Sequence, residues 1–280
     1  MKKVLLSAAG YDPSGGAGLL LDVKVFQHFG FYGAGIVTAV TIQNTQSVKY
    51  TFCPQARILK DQYEMLAKDL AFSGIKVGMA GSRENVKIIG KILAANKNIP
   101  RVIDPVFRSS SGAWLLGKNA IPSFIREIRG RASVLTPNLE EAGLITGRKV
   151  KSVEDMKEAA EKIYVLTRIP CLIKGGHLVK EAVNLLYDGR RAFLFGNLKI
   201  NKDVHGTGCF FSSSLLCYLA LGKPLGKACE LATELTFTAI KTAVRIGRGR
   251  HVISFPASAH SLSSKHRPGI SRLVSRPLSG

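Results

Sequence analysis

Short apolar segments alternate with amphipathic helical segments along most of the chain, and this alternation is what most constrains its fold. Brief segments rich in β-branched residues are typical of parallel strands that helices cover on both faces. Strands are predicted at residues 4–6, 35–42, 47–52, 75–79, 102–103, 133–135, 171–173, 183–187 and 191–195. Helices are predicted at residues 19–29, 55–72, 84–96, 120–128, 140–145, 153–167, 206–221 and 225–246. The order predicts an α/β fold with a mostly parallel central sheet.

One turn signal adds an antiparallel element to this sheet. Asp188 and Gly189 stand between the last two predicted strands, and an Asp-Gly pair at that position is typical of a tight β-hairpin. We therefore expect one antiparallel edge. No internal repeat or linker is visible, so residues 1–255 are interpreted as one domain, while the basic, Ser-rich residues 256–280 are predicted to form a disordered tail.

The chain has 280 residues, of which 40 are Lys or Arg and 19 are Asp or Glu, so the formal net charge is +21. Such a charge favours anionic partners, including nucleotides, phosphorylated metabolites and nucleic acid, but a generally basic surface explains it equally well. The hydrophobic fraction of 46% is enough for a large core and excludes wholesale disorder. A nucleic-acid-binding protein is retained as an unfavoured alternative.

The number and spacing of the cysteines, together with the hydropathy of the chain, indicate its cellular compartment. The five cysteines are an odd number and form no C-x-x-C pair, which argues against both a disulfide framework and a zinc site. The longest uncharged stretch, residues 25–48, contains Gln, Asn and several Gly residues, so no membrane span is expected. We predict a cytoplasmic protein with reduced thiols.

A glycine-rich turn at residues 204–208 leads directly into a predicted apolar helix. The glycines Gly206 and Gly208 let the backbone approach a ligand, and the free amides at the start of a helix attract an anion. Cys209 stands in the first helical turn, where the same field lowers a thiol pKa and favours a role as proton acceptor. A small buried apolar residue is the alternative interpretation of Cys209, as assumed for Cys217 and Cys229.

Further candidates follow other predicted strands. Asp22 lies one turn into the helix that follows a second glycine-rich turn, and it is either a functional carboxylate or a solvated helix position. Asn138 and Glu141 begin a helix and can form a capping box or supply oxygen ligands to Mg²⁺. Lys174 ends a strand and can meet a phosphate as a point charge or remain solvated.

Seven blocks of sequence together resemble the hydroxymethylpyrimidine/phosphomethylpyrimidine kinase family of thiamine biosynthesis, within the ribokinase-like superfamily. They occur in order at residues 12–18 (DPSGGAG), 43–45 (QNT), 76–79 (KVGM), 104–106 (DPV), 135–142 (LTPNLEEA), 174–177 (KGGH) and 205–209 (HGTGC). The resemblance runs from residue 4 to about residue 250. It implies a ribokinase-like three-layer α/β/α sandwich with a mostly parallel central sheet.

The resemblance also implies an activity, which is phosphorylation of 4-amino-5-hydroxymethyl-2-methylpyrimidine and then of its monophosphate, with ATP and Mg²⁺. Cys209 is then the catalytic base, and the amides of Gly206, Thr207 and Gly208 hold the transferring phosphoryl group. The residues that the resemblance assigns to the pyrimidine pocket are Gly10, Asp22, Gln43 and Met79. Those that it assigns to the nucleotide phosphates and Mg²⁺ are Asp104, Asn138, Glu141 and Lys174, with Asp104 and Glu141 reaching the metal through water.

The chain departs from the family pattern at several positions. Tyr11 replaces a small hydroxyl residue, Ser110 stands where a lysine is typical, and Arg108 offers a cation nearby. Asn184 replaces a common aspartate, and residues 247–251 lack the usual Gly-Pro ending. These departures leave a pyridoxal kinase of the same superfamily as the nearest alternative. The resemblance further implies a homodimer that binds small molecules and no specific nucleic acid.

Overall fold

A computed structural model describes residues 2–109, 112–176, 181–198 and 200–255. The expectations for Ser110, for His177 and for the tail of residues 256–280 lie outside these residues. The strands in the described residues are β1 Val4–Tyr11, β2 Tyr32–Gln43, β3 Val48–Phe52, β4 Phe72–Val77, β5 Arg101–Ile103, β6 Val134–Leu135, β7 Cys171–Gly175, β8 Glu181–Tyr187, β9 Ala192–Leu198, β10 Val204–His205 and β11 His251–Val252. The α-helices are α1 Gly18–His28, α2 Ala56–Asp69, α3 Arg83–Ala95, α4 Ile121–Ile128, α5 Leu139–Thr146, α6 Val153–Thr167, α7 Thr207–Ala220 and α8 Leu225–Thr242.

The central sheet has nine strands in the order β3-β2-β1-β4-β5-β6-β7-β8-β9. The six strands from β2 to β7 in this order run parallel to their neighbours, as the alternation of strands and helices predicts. The Asp188-Gly189 turn joins β8 to β9 in the expected antiparallel hairpin. The sheet is antiparallel at both edges, since β3 also runs against β2, which was not predicted.

Helices cover both faces of the sheet and produce two separate apolar cores. Neighbouring strand residues point to opposite faces, so Leu6 and Ile103 pack under α2 to α6, whereas Leu5 and Val102 pack under α1, α7 and α8. Each of the central strands is therefore buried on both sides. The expected α/β class with three layers is confirmed.

Two predicted helices are too long, and each ends where an apolar residue joins a strand instead. The helix expected over residues 55–72 ends at Asp69, and Phe72 begins β4 in register with Val4. The helix expected to reach residue 246 ends at Thr242, because Val244 exchanges both backbone hydrogen bonds with Val252. Helical periodicity alone does not register such strand pairing, whether the partner is distant in sequence, as Val4 is from Phe72, or near, as Val252 is to Val244.

The fold brings the sequence motifs together along the side of the sheet that is formed by the carboxyl ends of its parallel strands. Five parallel strands, β1, β4, β5, β6 and β7, end at their carboxyl termini there, and the motif residues lie in or directly after these ends. Helix α7 begins at the same edge and packs against α1 and the neighbouring strands β4 and β5. In open α/β sheets the carboxyl ends of the strands are where ligands bind.

Candidate active site

An ion pair between Lys174 and Asp104 lies at the centre of this edge. The Nζ atom of Lys174 is 2.6 Å from Oδ1 of Asp104, and both side chains are largely buried, with 15% and 2% of their surface exposed. Gly208 is the close neighbour from α7, since a Cβ atom added there would lie 3.2 Å from Nζ of Lys174 and 3.6 Å from Oδ2 of Asp104. Lys174 is therefore not the solvated lysine of the alternative interpretation.

The glycine-rich turn packs against the first loop of the chain. Gly206 precedes α7 with a left-handed φ of 80°, so the helix begins at Thr207 rather than at residue 206 as predicted. A Cβ atom on Gly206 would lie 2.0 Å from the carbonyl oxygen of Gly16. Only glycine fits here, because any side chain would clash with the backbone of the first loop.

Cys209 lies half-buried in the first turn of α7, within reach of four charged groups and of the backbone amide of Gly18. The pKa of its thiol is raised above the ordinary value, because burial raises it more than the nearby charge of Lys76 lowers it. The lowered pKa predicted from the position of Cys209 in the first helical turn is wrong in direction, since burial is the largest cause acting on this thiol. Cys217 and Cys229 are buried free thiols, as expected.

Asn138 and Glu141 form the capping box that was one of the two interpretations of their spacing. The Asn138 side chain accepts a hydrogen bond from the Glu141 amide, and the Glu141 carboxylate accepts one from the Asn138 amide, both at 2.8 Å. Burial raises the pKa of Glu141 to about 8, against the opposing charge of Lys174. The cap aims this carboxyl group toward Lys174 and Asp104, so capping and ligand binding are compatible.

Asp22 is buried completely, with an exposed fraction of 0%. Its carboxylate contacts Nζ of Lys76 through both oxygens at 2.8 Å and accepts hydrogen bonds from the hydroxyls of Ser7 and Ser213. The solvated alternative is therefore wrong. Both carboxylate oxygens are paired within the protein, and the pyrimidine-binding role that the resemblance assigns to Asp22 stays a prediction.

The remaining residues assigned to the pyrimidine pocket line the ends of β1 and β2. Gly10 faces Met79, whose sulfur would lie 2.8 Å from a Cβ atom on Gly10. The amide nitrogen of Gln43 is 3.4 Å from Nε2 of His205 in the glycine-rich turn. Gln43 thus contacts the turn that carries Cys209, and Gly10 and Met79 contact each other at the ends of the neighbouring strands β1 and β4.

Sequence reasoning assigned no role to three residues at this site, which are Asp12, His205 and Lys76. Asp12 accepts hydrogen bonds from the amides of Ser14 and Ala17 and lies 3.0 Å from Nε2 of His205, so it ties the first loop to the glycine-rich turn. Although burial raises the pKa of Asp12, its hydrogen bonds from His205 and Ser14 leave it lowered. Lys76, the partner of Asp22, stands between the apolar residues Ile75 and Val77, and that charge in a buried strand was the available signal.

The sequence model of the phosphomethylpyrimidine kinase family matches residues 12–254 of the chain. The chain belongs to this family. The hydroxymethylpyrimidine/phosphomethylpyrimidine kinase of Aquifex aeolicus is 38% identical over 254 residues, which cover 90% of this chain and all of that protein. The corresponding enzyme of Rhizobium meliloti is 38% identical over 256 residues and covers 89% of this chain and 96% of its own. The predicted resemblance and the predicted enzyme class, a phosphotransferase, are confirmed.

Solved structures agree with the ribokinase-like fold of this phosphomethylpyrimidine kinase family member. The pyridoxal kinase of Staphylococcus aureus in complex with AMP-PCP superposes with a TM-score of 0.83 at 30% identity, covering 90% of this chain and 93% of that one. The phosphomethylpyrimidine kinase of Clostridium difficile gives 0.74 at 36% identity, covering 85% of this chain and all of that one. No helix within the described ranges is long and apolar enough to cross a membrane.

Two departures from the family pattern have defined contacts. Arg108 donates to Glu140 at 2.9 Å, and its guanidinium lies 4.1 Å from the centre of the Trp114 ring. Asn184 accepts a hydrogen bond from the Gly175 amide at 3.3 Å and donates to Thr233 at 3.1 Å. Arg108 thus places a cation next to the first turn of α5, while Asn184 holds the end of the strand that carries Lys174.

Proposed function

We propose that this chain transfers the γ-phosphoryl group of ATP to 4-amino-5-hydroxymethyl-2-methylpyrimidine and then to its monophosphate. Membership of the family supports the reaction. The observation that carries the proposal is that the Gly206–Gly208 turn lies next to Lys174 and Asp104, which puts backbone amides and a cation side by side. Amides and a cation in this arrangement can stabilise the negative charge that is redistributed over a phosphoryl group during transfer.

In the proposed step, the hydroxymethyl oxygen forms a bond to the γ-phosphorus while the bond from phosphorus to the β–γ bridging oxygen breaks. ADP leaves with that electron pair, and the hydroxyl proton moves to the Cys209 thiolate. In the second reaction a phosphate oxygen of the monophosphate is the acceptor. Lys174 and the amides of the turn hold the transferring group in line, which supplies most of the acceleration in phosphoryl transfer.

Asp104 and Glu141 have the chemistry to hold Mg²⁺, directly or through water. Mg²⁺ prefers oxygen ligands and is often held by one or two carboxylates together with substrate phosphates. The buried Glu141, with its pKa raised by desolvation, suits a cation that would favour its ionised form. No cluster of three or more candidate metal ligands occurs among the residues that the structure describes, so phosphates and water would complete the coordination. When bound, the metal neutralises charge on the phosphates.

Gly10, Gln43 and Met79 are proposed to receive the pyrimidine, with the Gln43 amide as its hydrogen-bonding partner and Met79 as its apolar neighbour. The contact between Gln43 and His205 supports this, because it sets the proposed pocket beside the turn that carries Cys209. A site that hydrogen-bonds its substrate rejects analogues that lack the matching group.

Pyridoxal phosphorylation is a second candidate, favoured by the superposition on pyridoxal kinases with TM-scores up to 0.83. The deciding experiment measures ADP release with Mg²⁺-ATP and, separately, the hydroxymethylpyrimidine, its monophosphate and pyridoxal. We expect the highest kcat/KM with the two pyrimidines. Preference for pyridoxal would replace the proposal with the second candidate, and no ADP release with any of the three would overturn both.

A homodimer of this cytoplasmic enzyme is also proposed. The β2–β3 face, defined as Ile42, Tyr50 and Phe52, is an exposed apolar surface at one edge of the sheet, and Ile42 lies opposite Tyr50 in the hairpin. A second copy of the chain is the proposed occupant, because the resemblance implies a dimer and because edge strands with exposed apolar residues need covering.

A further inference from the structure

Two helices that meet at the candidate active site contact each other at two successive turns. In the upper contact the backbone amide of Gly18, at the start of α1, is near enough to the Cys209 sulfur, at the start of α7, to lower the pKa of that thiol. In the lower contact, four residues further along each helix, the hydroxyl of Ser213 donates to Asp22 at 2.7 Å. Because Ser213 follows Cys209 by four residues on α7, this hydrogen bond places the Asp22 carboxylate one helical turn from Cys209.

Lys76 completes this arrangement from the sheet. Its ammonium group has no exposed surface and contacts both oxygens of Asp22 at 2.8 Å, while Ser7 and Ser213 take up the remaining hydrogen-bonding capacity of that carboxylate. Burying an ion pair costs free energy, and the pair gives little net stability compared with apolar residues of the same size. Stability alone therefore gives little reason for a fully buried lysine at this place, one helical turn from Cys209.

The charged groups that act on the Cys209 thiol come from four elements. They are Lys76 from β4, Asp22 from α1, Asp104 after β5 and Lys174 from β7. Lys76 is the group among them whose charge most strongly favours the thiolate, and Asp22 opposes it less strongly. The Asp22 carboxylate also keeps Lys76 charged, since it raises the pKa of the ammonium against the effect of burial.

We propose that Lys76 is a positioning residue whose buried ammonium, held by Asp22, stabilises negative charge on the Cys209 sulfur and so sets the reactivity of that thiol. The consequence for turnover rests on the proposed role of Cys209 as the base. The consequence for the thiol itself does not, because thiol reactivity can be measured with no substrate present.

The test is the pH dependence of Cys209 alkylation by iodoacetamide in the full chain, followed at residue 209 by peptide mass spectrometry. Only the thiolate attacks the reagent. For Lys76→Met we expect the midpoint to move to higher pH by about one unit, which makes alkylation about tenfold slower below the midpoint. Lys162→Met is the control, because Lys162 is an exposed lysine that donates to the Thr146 carbonyl oxygen, away from Cys209.

Loosening of the fold would have the opposite effect. Burial is the largest cause of the raised pKa of Cys209, so a disordered site would lower the midpoint and speed alkylation. The variant Lys76→Met/Asp22→Asn removes both buried charges and keeps the protein measurable should the single variant not fold. Lys76 acts on the thiol more strongly than Asp22. We therefore expect the alkylation midpoint of the double variant also to move to higher pH, but by less than that of Lys76→Met. An unchanged or lower midpoint in the folded variant overturns the proposal.

Turnover separates this inference from the proposed function. If Lys76 acts through Cys209, Lys76→Met lowers kcat with little change in KM for the pyrimidine. Should Cys209→Ala retain full turnover while Lys76→Met still slows alkylation, the proposed base is wrong but the role of Lys76 in thiol reactivity stands.

Discussion

At the scale of single residues, Cys209 is subject to two opposing influences. Its surroundings are dry enough to raise the thiol pKa, yet Lys76 supplies a charge that favours the thiolate. A base that must lose its proton before it can act gains activity as pH rises toward its pKa. Because the pKa is raised, the gain in activity is expected at a pH above the ordinary pKa of a thiol.

This gives a prediction for the pH dependence of kcat. In the wild type, log kcat should rise with pH beyond the ordinary thiol pKa of about 8.5. Cys209→Ala should lose this rise and roughly 10²-fold in rate at its top, and Cys209→Asp should move the rise to lower pH, since a carboxylate ionises earlier. Glu141 also titrates near this range, so the assignment depends on the difference between the wild type and Cys209→Ala.

Steady-state kinetics across the pH range provide the measurement. Cys217→Ala is the matched control, because Cys217 is a buried thiol two turns further along the same helix. Its profile should keep the wild-type shape. Identical profiles for the wild type and Cys209→Ala would exclude Cys209 as the base.

A second residue-scale prediction concerns Gly206. Gly206→Ala combines a left-handed φ, which costs about 1–3 kcal/mol for a residue with a side chain, with a contact of 2.0 Å to the Gly16 carbonyl oxygen. We expect both a loss of stability and a large rise in KM for ATP, measured by denaturant unfolding and kinetics. Gly222→Ala is the control, since Gly222 has a similar φ of 82° with nothing within 4 Å. Equal effects of the two substitutions would contradict the proposed role of the turn.

At the scale of secondary-structure elements, the start of α5 serves two purposes. The capping box of Asn138 and Glu141 satisfies free amides at the helix terminus, and such caps contribute about 1 kcal/mol. The same cap holds the Glu141 carboxyl group in a buried place beside Lys174 and Asp104. Local stability and the proposed phosphate site thus depend on one pair of side chains.

The raised pKa of Glu141 predicts how stability responds to pH. Between the ordinary value of 4.5 and about 8 the folded chain holds a proton that the unfolded chain releases, so this contribution to stability is full below 4.5 and is lost as pH rises. Glu141→Gln keeps an oxygen for the cap and should flatten that part of the pH profile. Urea unfolding at several pH values measures it.

Glu158→Gln is the control for that experiment, because Glu158 forms an exposed ion pair with Arg148 on the protein surface. Its pH profile should follow the wild type. If Glu141→Gln left the slope between pH 5 and pH 8 as steep as in the wild type, another group would be responsible for it.

At the scale of the whole molecule, the sheet has antiparallel strands at both edges, and β3 closes one of them. Tyr50 and Phe52 on β3 are 57% and 60% exposed, which is high for large apolar side chains. The parallel centre of the sheet positions the active site, so this edge is free to meet a second copy of the chain. Covering it would also remove a surface prone to aggregation.

We therefore expect the wild type to sediment as a dimer and the variant Tyr50→Asp/Phe52→Asp as a monomer. Two charges in an apolar interface would be buried without partners, which weakens association strongly. Val165→Asp is the control, since Val165 on α6 is 58% exposed and lies outside the β2–β3 face. A dimer that persists in the double variant would move the interface elsewhere, and a monomeric wild type would remove the proposal.

Much of the site could be located from the sequence because its residues are in short local motifs. A strand followed by a glycine-rich turn, or by Asn and Glu at the start of a helix, can be recognised within a few residues of sequence. Parallel strands then bring their carboxyl ends to the same side of the sheet. Lys174, Asp104 and Gly208 meet there as that rule requires. The helix ends at Asp69 and Thr242 were misjudged because strand pairing, of Phe72 with Val4 and of Val244 with Val252, decided them rather than helical periodicity.

The alternation of apolar segments thus determined the three-layer fold and the edge that carries the site, since local periodicity controls which face of each element is buried. Only the tertiary structure decided that Asp22 is paired with Lys76, 54 residues away, and that His205 meets Asp12, 193 residues away. It also reversed the predicted direction of the Cys209 pKa. Desolvation and charge pairing depend on which distant segments surround a group, and a local pattern carries no record of those neighbours.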